Sequence, residues 1–190
     1  MIGRTIDEIQ EGDAAELTRV VAREDVAGFI DAVGDDNPVH SDPAYAATTM
    51  FKAPIAPGIF TAGLISAVIG TKLPGPGAIY LSQTLKFTKP VFVGDTITAR
   101  AEVAAVVRER NRIRLVTSCV NQRGEEVLAG EAWVLPSRTS IVYERPRPAV
   151  ATLLGWTFSP WTVAAQMMAA WGTLGLALMG GPSVTSATRR

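Results

Sequence analysis

The sequence predicts one α+β domain in which an antiparallel sheet curls around a single apolar helix. Three observations predict it. Gly58 to Gly70 (GIFTAGLISAVIG) carries no charge and is apolar nearly all round, the pattern of a buried helix. From Ala78 onward the apolar period changes to two, the pattern of half-buried strands. Two of the alternating runs are separated only by Asn121-Gln-Arg-Gly124, a hairpin connection. A length of 190 residues holds one sizeable core with an appendage rather than two ordinary domains.

Taken in order, Val26, Phe29, Ile30 and Val33 recur at helical spacing among Glu24, Asp25 and Asp31, which predicts a short amphipathic helix ending at Gly34. Pro38 disfavours helix at Asn37, so Gly34 to His40 reads as a turn. Asp42-Pro43, a cap followed by proline, opens a second short helix through Tyr45 and Ala47. After the apolar helix, Ile79, Leu81, Leu85 and Phe87 alternate with polar neighbours, as do Ile97, Ala99, Ala101 and Val103. Runs from Ile113 to Val120 and from Val127 to Leu135 complete the predicted sheet. Tyr143-Glu-Arg-Pro-Arg-Pro148 reads as a linker, because its prolines withhold backbone donors and favour extended chain. The predicted organisation is a domain over 1–138, a Pro-rich linker over 139–148 and a C-terminal extension over 149–190.

Composition excludes several classes. The 18 basic and 18 acidic residues cancel, with no basic stripe to mark a nucleic-acid partner. Cys119 is the single cysteine and His40 the single histidine, so an internal disulfide and a thiolate- or histidine-rich metal site both lack their residues, and no metal is expected. MIGRTIDEIQEGD has early acids and no apolar core before a cleavage site, so it does not read as a secretory signal, and a cytoplasmic location is expected.

Chemistry concentrates in Gly34-Asp-Asp-Asn-Pro-Val-His40, which gathers two carboxylates, an amide and the only imidazole within seven residues. On polarity alone it could equally be a solvated turn whose Asp and Asn side chains bond their own backbone. The pattern Gly34-Asp35-x-Asn37-Pro38-x-His40, followed by Asp42-Pro43-x-Tyr45-Ala46, resembles the hydratase signature of the MaoC-like family, with the (R)-specific enoyl-CoA hydratases as the best match. The similarity continues through Ala53-Pro-Ile-Ala-Pro-Gly58, Ala78-Ile-Tyr-Leu-Ser-Gln83 with Phe87, and Lys89-Pro-Val-Phe-Val-Gly-Asp95, covering roughly residues 5 to 136. One departure is Pro57, where many hydratases of this family carry histidine and other MaoC-like proteins carry proline.

The resemblance implies a hot-dog fold, a homodimer with the active site near its interface, and hydration of trans-2-enoyl-CoA to (R)-3-hydroxyacyl-CoA with no cofactor, coenzyme A being part of the substrate. It assigns the two proton transfers to Asp35 and His40, without deciding which residue abstracts and which delivers, and leaves Asp36 variable. Asn37 would shape the turn or orient the water. Gly58, at the start of the apolar helix, would bind the oxyanion through its backbone N–H, the alternative being a flexible helix start. Ser66 would line the site or bond a carbonyl one turn back. Lys72, Lys89, Arg108, Arg110, Arg112 and Arg114 include the candidates for coenzyme A phosphate contacts.

Pro148 to Thr188 contains no Asp, Glu, Lys or Arg, and within it Trp161 to Gly180 is long enough to cross a bilayer but diluted by alanine, glycine, threonine and glutamine. Three readings stay open for it: a helix packed on its own dimer, an anchor for a membrane or lipid-like granule, and a true span. Two rival functions also stand, a hot-dog acyl-CoA thioesterase and a non-catalytic acyl-CoA-binding or granule-associated protein. The thioesterase is disfavoured because such enzymes commonly carry a catalytic carboxylate on or beside the central helix, and Gly58 to Gly70 has none.

Overall fold

The computed structural model describes residues 1–144; the predicted extension and the end of the predicted linker lie outside the described residues. Eleven elements follow in chain order among them. They are β1 (Ile2–Gly3), β2 (Ala14–Val20), α1 (Arg23–Val33), α2 (Pro38–Ser41), α3 (Pro43–Thr48), α4 (Gly58–Thr71), β3 (Ile79–Phe87), β4 (Thr96–Val107), β5 (Arg112–Val120), β6 (Glu126–Leu135) and β7 (Ile141–Val142). Five strands form one fully antiparallel sheet in the order β2-β4-β5-β6-β3, so β2 and β3 are its edges.

The uncharged helix α4 lies against this sheet. Ile65, Val68 and Ile69 are buried on its inner side and join Ile97, Ala99, Ala101 and Val103 of β4 in one core. The alternation read along β4 holds residue by residue: those four are at most 2% exposed, while Thr98, Arg100 and Glu102 face outward. Two alanines at the centre of that row let the helix approach the sheet closely, and close packing is what makes apolar burial effective. On the outer face Arg100 is held by Glu16 at 2.6 Å and Glu102 at 2.8 Å.

Three expectations are corrected. The helix α4 is apolar all round but not buried all round: Ile59 is 56% exposed, and Gly63, Ser66 and Gly70 share that open side. In β3 a bulge between Tyr80 and Ser82 shifts the phase, so Ile79 and Leu81, read as inward, are exposed, and only Leu85 of that run packs on the core. The segment read as a turn contains a short helix, α2, because Pro38 occupies its first position, where a missing N–H costs nothing. Strand β2 was not anticipated; Ala15 and Leu17 pack on the core, but the next residue on that face is Arg19, which pairs with Asp25 of α1 at 2.8 Å, so the apolar alternation is too short to announce a strand. The start of the segment read as linker is also tied down, since Ile141–Val142 pairs with Ile2–Gly3 and Tyr143 N–H donates to Met1 O at 2.9 Å.

Candidate active site

The site forms where α1 ends, α2 begins and α4 starts. Gly34 closes α1 in the left-handed region (φ 71°), which glycine enters without steric cost, and both Gly34 N–H and Asp35 N–H donate to Ile30 O at 2.8 and 3.1 Å. The chain then reverses through Asp35 and Asn37. Asp35 Oδ1 accepts the Asn37 N–H at 3.3 Å, and Asn37 Oδ1 accepts the Val39 N–H at 3.3 Å, capping α2. The turn-forming bonds weighed as an alternative are therefore present, and they leave Asp35 Oδ2 for the site. Asn37 acts here as a shaper of the turn.

From α2 the His40 ring points into the fold, its side chain 11% exposed against 35% for Asp35. Nδ1 lies 2.8 Å from Ile55 O, an atom that can only accept, so Nδ1 carries the proton and Nε2 presents a lone pair. Nε2 is 3.7 Å from Asp35 Oδ2, wider than a direct hydrogen bond, with two acceptors facing one gap. Such a gap suits a water that donates one O–H to each. Asp36 is exposed and lines neither of the cavities that meet at His40.

Gly58 occupies the first turn of α4, after Pro57. A T-shaped contact between Phe29 of α1 and Phe60 of α4, with centroids 5.9 Å apart, fixes the helix that delivers Asp35 against the helix start that offers Gly58. A Cβ on Gly58 would come within 2.8 Å of the Phe87 ring, so a larger residue here would displace that half-exposed ring from the cavity wall. Two cavities meet at His40 and Gly58. One, of about 510 Å³, runs between Phe51, Ile55, Phe87 and Val91; the other, of about 280 Å³, is bounded by Phe29, Val33 and Asp35. Their walls are mainly apolar, which suits an acyl thioester rather than a charged polar substrate.

The structure thus brings together Asp35, His40 and Gly58, with Asn37 supporting them. Ser66 stands apart: it is exposed, eight residues beyond Gly58 on α4, about 12 Å along the axis at 1.5 Å per residue, and borders neither cavity. Of the candidate phosphate contacts, Lys89 borders the larger cavity and pairs with Glu125 at 2.6 Å, whereas Arg114 pairs with Glu131 at 2.7 Å on the outer face. Among the described residues no group of three or more His, Cys, Asp or Glu side chains is placed to hold a metal ion. The sequence reading missed Ile55, whose contribution is a backbone carbonyl that no residue type announces.

The chain also has recognisable relatives among known proteins. The MaoC like domain matches residues 5–124. The chain is similar to a 3-hydroxybutyryl-CoA dehydratase of Methylorubrum extorquens, 47% identical over 67% of this chain and 81% of that protein. It is also similar to an (R)-specific enoyl-CoA hydratase of Rhodospirillum rubrum, 45% identical over 70% of this chain and 92% of that one. Among solved structures it is similar to the unliganded R-hydratase PhaJ1 of Pseudomonas aeruginosa, with TM-score 0.71 and 42% identity over 78% of this chain and 97% of the other. The sheet wrapped on one helix is the hot-dog fold, and the chain belongs to the MaoC-like family.

Proposed function

We infer that this protein is an (R)-specific enoyl-CoA hydratase, a hydro-lyase that adds water to trans-2-enoyl-CoA to give (R)-3-hydroxyacyl-CoA. The observation that carries the reading is the facing pair Asp35 Oδ2 and His40 Nε2 beside the Gly58 helix start, in a chain whose relatives bear hydratase names over most of their length.

The site acts as follows. One water donates to Asp35 and to His40, and its oxygen attacks C3 of the enoyl thioester. As the C3–O bond forms, the C2=C3 electron pair moves toward the thioester oxygen, and the Gly58 N–H with the positive end of α4 stabilises the resulting enolate. The pair begins without a proton to give, so the proton delivered to C2 is the one just taken from the water. Both new bonds then form on one face of the alkene, and the pair returns to its starting state. No cofactor or metal enters these steps.

The homodimer is part of this reading. Supporting it, the edge strand β3 exposes Ile79 (58%), Leu81 (40%) and Phe87 (50%) beside unpaired backbone groups, a combination that isolated edges avoid. A second copy paired there would also cover the open side of α4 that carries Ser66. Cytoplasmic location and supply of (R)-3-hydroxyacyl thioesters for polyhydroxyalkanoate or from fatty-acid breakdown fit the product. No helix among the described residues is long and apolar enough to cross a membrane, and membrane or granule contact is reserved for the extension over 149–190.

The test is hydration of crotonyl-CoA and longer enoyl-CoAs, followed at the enoyl absorbance in the presence of a chelator. Loss of the enoyl absorbance without release of free coenzyme A is expected. Free coenzyme A as the sole product would instead support a thioesterase.

A further inference from the structure

Asp95 is a buried carboxylate, 6% exposed, that borders neither cavity. Both of its oxygens are engaged. Oδ2 accepts the Phe92 N–H at 2.9 Å, and Oδ1 accepts Gln122 Nε2 at 2.7 Å, with Arg123 Nη1 3.9 Å away. Its own N–H donates to Phe92 O at 3.1 Å, closing a tight turn over 92–95. Gln122 is itself held, its Oε1 accepting the Thr96 N–H at 3.0 Å.

This turn is the anchor of a strap that reaches the catalytic imidazole. Val91 O accepts the Ala56 N–H at 2.8 Å, and Phe92 forms an antiparallel bridge with Ile55. Ile55 O is the acceptor of His40 Nδ1. Residues 55 and 56 belong to no helix or strand, so the strap and the Val39 O···Ile55 N–H contact of 3.3 Å are what hold that carbonyl in place. An imidazole that must present Nε2 unprotonated needs a fixed acceptor at Nδ1, and a carbonyl in irregular chain is only as fixed as the segment beside it.

We propose that Asp95 is a positioning residue for hydration: through the 92–95 turn and the Val91–Phe92 strap it fixes Ile55 O, and thereby the tautomer and orientation of His40. The proposal rests on the assignment of His40 to the acid/base pair. An amide in place of the carboxylate offers one acceptor oxygen to two donors, so the Phe92 N–H or Gln122 Nε2 loses its partner, the strap loosens from Ile55, and the ring is free to adopt the Nε2–H tautomer, which cannot take a proton from water at that nitrogen.

His40 is the only histidine of the 190 residues, so one pair of imidazole nitrogens reports directly. In full-length protein labelled with 15N-histidine, the wild type is expected to show Nδ1–H at neutral pH. In Asp95→Asn, population moves toward Nε2–H and kcat falls about ten- to a hundredfold, as when an outer partner of a functional histidine is removed, with KM changing less. Gln122→Ala, on the exposed turn, removes one donor without emptying the interior and moves both readouts the same way by less. Val103→Ala, a core change away from the strap, lowers Tm and leaves tautomer and kcat in place. Tautomer and kcat unchanged in both Asp95→Asn and Gln122→Ala, or a wild type already in the Nε2–H form, overturns the proposal. A wild type that hydrates no enoyl thioester but still loses its Nδ1–H tautomer on Asp95→Asn would overturn the functional reading and leave the brace standing.

Discussion

Asp35 and His40 meet because one helix ends on a glycine and the next opens on a proline: five residues of chain reverse direction and bring a carboxylate and an imidazole to within 3.7 Å. Asp35→Asn and His40→Gln are each expected to lower kcat by roughly 10²–10⁴, the range for a lost general acid or base, with folding intact by circular dichroism. Asp36→Asn, on an exposed side chain outside the gap, should change kcat by no more than about twofold on the same scale. A crippled Asp36→Asn beside a mild Asp35→Asn would reverse the assignment. Cys119 gives a separate check on the core. Burial pushes its thiol up to about 12, so the native protein should resist a thiol reagent near neutral pH and react with one equivalent after unfolding in urea. At this scale the sequence was legible where chemistry resides in a side chain, as for Asp35 and the lone His40. Gly58 was legible too, as a glycine after proline at the start of an apolar helix, but nothing announced Ile55, which meets His40 through a backbone carbonyl.

Among the elements, α4 and β4 were legible because their partner surfaces are dry on one side, so apolar content and period carry the structure directly. Edges were harder. Strand β2 has one neighbour and a polar outer row, and β3 carries a bulge that breaks the period of two, so composition along these strands records solvent and a second surface as much as the core. The hairpin between β5 and β6 offers a prediction with a definite sign. Hydrogen bonds from Asn121, then Lys89 and Arg123, hold the Glu125 carboxyl down to about 2 from its ordinary 4.5. Its contribution is present above about 4.5 and is lost as pH falls toward about 2. The Glu125 side chain is 32% exposed, so solvent screens the network and the effect is a modest one. Thermal melts should therefore show Glu125→Gln less stable than wild type near neutral pH, with the difference shrinking through that window. A difference that grows on acidification would mean the network repels rather than holds this carboxylate.

At the scale of the molecule, the described residues include exposed apolar Ile79, Leu81 and Phe87 along the edge strand β3, Ile59 on the open side of α4, and Met50, 85% exposed, beside the larger cavity. A homodimer at twice 20.2 kDa is expected by sedimentation. Leu81→Lys, on the edge strand, should shift the equilibrium toward monomer and lower activity in parallel if the second copy completes the site. The extension lies outside the described residues, and the boundary drawn before it makes its own prediction: a chain ending at residue 148 should fold and hydrate enoyl-CoA, and any loss should be in partition with membranes or lipid-like granules. Chiral analysis of the product that purified full-length protein makes from crotonyl-CoA, without added metal or nucleotide, separates hydration of this stereochemistry from its rivals. The expected product is (R)-3-hydroxybutyryl-CoA, lost on substitution of Asp35 or His40; the (S)-product, or hydrolysis of the thioester with the alkene intact, would refute the assignment.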